Sequence, residues 1–135
     1  MTKPVIELRG DRIHDLESFW DEVSRSLMGG TYRTRTLDGF NDILRGGFGT
    51  PEGGFVLLWL DSETSRAALG TPETVRYLER KVHTCHPANV PSIQEELAKA
   101  RRGEEPSLFD TLVELIRDHG AGGTEEEDGV DLELR

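Results

Sequence analysis

Six consecutive apolar residues, Phe55-Val56-Leu57-Leu58-Trp59-Leu60, constrain this chain more than any other feature. A strand with one wet face alternates apolar and polar side chains. An uninterrupted apolar run belongs to a strand covered on both faces, central in a parallel sheet. It is far too short to span a bilayer. Two further strand signals lie near the chain ends: Val5-Ile6-Glu7-Leu8, closed by Gly10-Asp11, and Val130 to Leu134, whose alternation reads as an edge strand. Strands so widely separated pair through crossover connections, so the expected class is α/β with a small parallel sheet.

Helical periodicity fills the intervals. Leu16, Phe19, Trp20, Val23 and Leu27 form one stripe behind Asp15, an N-cap residue. A second helix follows the loop Thr31 to Arg35, with Thr36 as its cap. Leu37, Phe40, Ile43 and Leu44 form its apolar side, while Asp38, Asn41, Asp42 and Arg45 point outward. The glycine-rich connection Gly46 to Gly54 lacks the Gly-Lys-Ser/Thr ending of a phosphate-binding loop and leads into a strand, so it reads as a flexible turn. Beyond the central strand, Asp61-Ser62 starts a short helix to Leu69, stopped by Gly70. Thr71-Pro72-Glu73 caps another, with Val75, Leu78, Val82 and Cys85 as its stripe. Pro91 to Arg102 is a more polar helix, expected on the outside. Pro106 opens a strong helix through His119 with Gly120 as its stop, followed by an acidic connector to Gly129.

With 135 residues, the chain fits one domain, expected to span 1–135. A net charge of −10 argues against phosphate-directed nucleic-acid binding and suits a basic partner. One cysteine precludes an internal disulfide. Met-Thr-Lys-Pro-Val-Ile-Glu carries no export signal, so the cytoplasm is the expected location.

Asp38 and Asp42 have no evident folding role. Four residues apart on a helix, they repel by a few tenths of a kcal/mol, whereas a cationic partner would favour both. The run Leu37-Asp38-Gly39-Phe40-Asn41-Asp42-Ile43-Leu44 behind Tyr32 resembles the binding segment of the barstar family. That segment has a tyrosine-led loop, then Leu-Asp-Ala-Leu, a variable residue, Asp, a variable residue and Leu. Val5 to Leu27, the strand carrying Trp59, and the segments Leu108 to Gly120 and Val130 to Leu134 resemble the family's remaining elements. The resemblance implies a three-stranded parallel sheet in the order 1-2-3, packed with helices, with 70–106 as a helical insertion.

It further implies an inhibitor that fills the active site of a small, secreted, guanyl-preferring ribonuclease, as a monomer joining a 1:1 complex. Asp42 would be the central anion, mimicking the substrate phosphate. Asp38 would reach a flanking donor, and Tyr32 would pack flat on the enzyme's rim. Arg33, Arg35, Asn41 and Arg45 would complete the partner-binding surface, with Glu114 as a third acidic contact from the last helix. Three positions depart from the pattern. Thr34 replaces a glycine, Thr36 a capping asparagine and Asn41 an aromatic residue. Arg33 and Arg35 also put positive charge in a loop meant to face a basic enzyme.

Other chemistries fare worse. His83-x-Cys85-His86 matches no standard zinc spacing, and Cys85 continues an apolar stripe, so no metal or cofactor is expected. Ser18, Ser24 and Ser26 lack a triad context, while His14 and His119 lack identifiable partners; no enzyme is expected. Two alternatives to ribonuclease inhibition remain: immunity to another nuclease toxin, or a scaffold reused as a regulatory interaction module.

Overall fold

Parallel pairing places the apolar run between the two terminal strands. A computed structural model describes residues 3–135. Strands β1 (Val5–Arg9), β2 (Phe55–Leu60) and β3 (Val130–Leu134) form a parallel sheet in the order β1-β2-β3, with Leu8 opposite Trp59 and Trp59 opposite Leu134. The crossovers contain α1 (Leu16–Leu27), α2 (Leu37–Arg45), α3 (Ser62–Ala68), α4 (Thr71–Thr84), α5 (Val90–Arg101) and α6 (Leu108–Arg117). The expected α/β class and strand order are both present.

One expectation needs correction. β2 is central, but only Phe55, Leu57 and Trp59 are fully buried. Val56, Leu58 and Leu60, on the other face, are half-covered and stay outside the core. Their cross-strand neighbours explain how apolar residues persist there. Leu58 lies between Glu7 and Glu133, and Leu60 lies beside Arg9. The aliphatic stems of such charged side chains can flank an apolar row while their heads stay in water.

Aromatic packing organises the inner face. Trp59 is completely buried, with ring centroids 5.5 Å from Phe19 and 5.0 Å from Phe109. Its indole Nε1 donates to Ser65 Oγ at 2.9 Å, satisfying the one polar atom of the ring. Gly10 permits this junction, because a Cβ there would collide with the Leu60 and Asp61 carbonyls. At the edge of the sheet, the buried Glu22 carboxylate accepts from the Arg9 amide at 2.7 Å and binds Arg25 through two nitrogens.

Both ends of the last helix differ from expectation, since it runs only from Leu108 to Arg117. Ser107, whose side chain accepts from the Asp110 amide at 3.2 Å, caps α6; Pro106 precedes it. Gly120 is no left-handed stop. It is needed because a Cβ would meet the Val130 carbonyl.

α4 and α5 share a smaller core of Leu78, Ile93, Leu97 and Ala100, with Tyr77 touching both this core and the main one. Their attachment to α1 is polar. Glu73 caps a neighbouring helix rather than its own, accepting from the Leu16 amide at 2.7 Å. Arg76 grips Glu73 and also reaches Glu17 at 2.7 Å, and Arg80 bonds the same Glu17 carboxylate. Burial alone would raise the Glu17 carboxyl. The Arg80 guanidinium, its own backbone amide and Arg76 outweigh that and hold it at about 2.

A lowered folded pKa means this stabilisation is fully present above the unfolded value of 4.5 and is lost as pH falls through about 2. Glu17 is 40% exposed, so solvent screening limits the contribution to below about 1 kcal/mol. Urea unfolding of the native chain and Glu17→Gln checks this. The stability gap should be steady above pH 4.5 and shrink from there towards pH 2.

Candidate functional site

Rotation of α2 about its own axis decides what the protein presents to a partner. Thr36 starts the helix, its hydroxyl accepting from the Gly39 amide at 2.9 Å. Phe40 and Ile43 are completely buried and Leu44 nearly so. The Phe40 ring stands edge-on to Phe19 at 5.5 Å and to Trp20 at 5.8 Å. With that side locked, Asp38, Asp42 and Arg45 face solvent. Arg45 Nε donates to Glu125 at 2.7 Å, and its Nη1 reaches Asp42 only at 3.3 Å. Its guanidinium is thus committed mainly to Glu125, which makes it more basic. Asp42 is 55% exposed with acceptor capacity to spare. Asp38 is exposed and makes no hydrogen bond or ion pair among the described residues.

The flanks of α2 carry the exposed aromatics. Tyr32 stacks on Phe48 with centroids 5.8 Å apart and planes 22° apart. Both rings are nearly half-exposed, so the loops before and after the helix meet in one apolar patch. Gly46 ends α2 at φ 98°, a conformation that favours glycine. Ser24 Oγ anchors the leading loop by donating to the Tyr32 carbonyl at 2.6 Å. The two loop arginines differ. Arg33 is held by Asp21 at 2.6 Å and by the Glu17 carbonyl at 3.1 Å, whereas Arg35 is exposed and has no such partner among the described residues.

Thr34 and Gly39 are packed against each other. Thr34 is buried and keeps a negative φ. A Cβ built on Gly39 would overlap Thr34 Oγ1 and lie 3.1 Å from Thr36 Oγ1. The threonine side chain therefore occupies the space an alanine at 39 would need.

Asn41 turns inward, contrary to its expected outward direction. Its Oδ1 is 2.6 Å from His119 Nε2, while His119 Nδ1 is 2.7 Å from Asp128 Oδ2. The ring is fully buried, and Glu125 approaches Nε2 at 3.4 Å. His119, without an identifiable partner in the sequence, thus ties α2 to the acidic connector before β3. The imidazole, Glu125 and Asp128 also form a group of three metal-capable donors, already engaged with one another and with Asn41. His83 and His86 are exposed, and they make no such group with Cys85 among the described residues.

Glu114 is exposed on α6, lining a shallow hollow with Asp110, Arg117 and Asp118 that takes no residue from α2. A larger groove, of about 620 Å³, opens between the start of α2, α1 and α4. Leu16, Trp20, Leu37 and Tyr77 contribute its apolar surface, Arg33, Arg35, Arg80 and Lys81 its cations, and Glu17 and Asp38 its carboxylates.

Fold and site together define a small α/β protein that displays a rigid acidic helix beside an exposed aromatic pair. Residues 3–85, more than half of the chain, match the family described as Barstar (barnase inhibitor), and the chain belongs to that family. The match runs through α4 and ends short of α5, α6 and β3. No curated protein and no solved structure matches the chain.

Two stability predictions follow from this geometry. Gly39→Ala should destabilise the native chain, because about 1–3 kcal/mol of overpacking exceeds a helix-propensity gain near 1 kcal/mol. In a Thr34→Gly background the same change should stabilise. A double-mutant cycle in urea measures the coupling. Asn41→Ala should cost about 0.5–1.5 kcal/mol of stability by removing one hydrogen bond to the buried imidazole, with Glu125 still 3.4 Å from the same nitrogen, read as a lower unfolding midpoint with unchanged slope.

Proposed function

We propose that this protein is a cytoplasmic inhibitor of a small secreted ribonuclease, acting by occlusion and without chemistry of its own. The carrying observation is the pair of exposed carboxylates, Asp38 and Asp42, on a helix whose rotation is locked by Phe40, Ile43 and Leu44. A ribonuclease holds its scissile phosphate with cationic side chains. Carboxylates on a rigid helix can take the phosphate's place and form charge-assisted bonds to arginine, without ordering a loop on binding. Asp42 is the central anion, since Arg45 is diverted to Glu125. Asp38 sits in the first turn, where the positive helix end offsets part of its charge, and serves as the flanking contact.

Tyr32 supplies the aromatic rim contact, and its stack on Phe48 widens that surface. Asn41 and Arg45 act on the partner indirectly, through the bonds that hold the helix to His119 and Glu125. Glu114 lies in a different hollow and has no evident part. The net charge of −10 suits a basic enzyme and steers encounter with it. In this reading, 70–106 is an insertion within one domain, and the complex contains one copy of each protein.

Titration of barnase and other small secreted microbial ribonucleases, read as RNA cleavage, tests the proposal. The unaltered chain should abolish cleavage stoichiometrically. Asp42→Ala should weaken binding by about 2 kcal/mol or more, the loss general to interface hot spots, for which barstar itself supplies the standard example. Inhibition untouched by Asp42→Ala would contradict the phosphate-mimic mechanism.

A further inference from the structure

The cations of the loop before α2 sit badly with a partner that is simply basic. Arg33 is neutralised within the chain by Asp21, but Arg35 is not paired among the described residues. Across the groove, Arg80 is taken up by Glu17, whereas Lys81 lies 5.6 Å over the Tyr77 ring and has no carboxylate partner among the described residues. Two uncommitted positive charges therefore flank an apolar groove in a protein with a formal net charge of −10. The groove is continuous with the acidic helix, because Thr36, Leu37 and Asp38 line its near side.

Resting on the inhibitor reading above, we propose that this groove is a second, oppositely charged docking site for the same nuclease. It receives a segment of the enzyme that carries a carboxylate and an apolar side chain. The carboxylate lies between Arg35 and Lys81, and the apolar group packs on Leu16, Leu37 and Tyr77. Charge complementarity favours this occupant. The enzyme's phosphate-binding cations meet Asp42 and Asp38, and an acidic segment beside its active site meets Arg35 and Lys81. Such an alternation selects partners, because a nuclease presenting only positive charge would meet like charge at the groove. Lys81 lies on α4, so α4 takes part in recognition.

Charge reversal separates a docking site from solvated surface cations. Arg35→Glu with Lys81→Glu makes the chain more acidic, so long-range attraction to a basic enzyme alone would strengthen binding. With barnase as the probe, we expect the double variant to inhibit at least tenfold more weakly, while Lys99→Glu, on α5, inhibits as well as the unaltered chain or slightly better. The chain's single cysteine supplies a second readout, since Cys85 lines the groove half-buried. Bound barnase should slow its alkylation severalfold. Unchanged or tighter inhibition by the double variant, or unaltered alkylation in the complex, overturns the groove site while leaving the acidic helix standing. Inhibition insensitive to Asp42→Ala instead removes the acidic-helix reading, and absence of inhibition by the unaltered chain removes both.

Discussion

The packing of Phe40 against Phe19 and Trp20 is the contact on which the rest of this surface depends. Phe19 in turn packs on Trp59, and Trp59 on Phe109, so the orientation of α2 is referred to the centre of the sheet through one chain of rings. Rings of this size dominate core energetics and leave little room for rotation of the helix that carries them. Asp38 and Asp42, repulsive to each other and unhelpful to folding, are therefore held in place by residues on the opposite side of their own helix.

A second layer of restraint is polar. Thr36 caps α2 at one end, and His119 reaches Asn41 in its middle. Glu125 holds Arg45 at the other end. The last two contacts come from the segment just before β3, so the C-terminal strand, through its connector, helps place a helix far away in sequence. α4 is attached in the same manner, with Glu73 capping α1 and Arg76 and Arg80 meeting on Glu17. Glu73, the buried carboxylate of this network, accepts from the Leu16 amide and from two Arg76 nitrogens, which offsets the cost of removing it from water.

Much of the fold was legible in the residues. The apolar run of β2 and the stripes of α1, α2 and α6 gave strand centrality and helix faces directly, because period and burial are coupled. The half-exposed outer face of the sheet was not legible, since an apolar run does not distinguish a face covered by helices from one flanked in register by Glu7, Arg9 and Glu133. In the candidate site, the outward Asp38 and Asp42 followed from the pattern, whereas the inward turn of Asn41 did not. Its partner His119 lies far along the chain, and only the crossover brings them together. The pairing of Thr34 with Gly39 was hidden likewise, because nothing relates the two residues until the loop is folded against the helix.

The central claim is that the face around α2 is where the nuclease binds. The most direct test is amide chemical-shift mapping of the isotope-labelled chain by NMR, alone and with unlabelled barnase at saturation. The account predicts the largest changes from Tyr32 to Arg45. Changes confined to α5 or to the outer face of the sheet, with α2 unmoved, would contradict it.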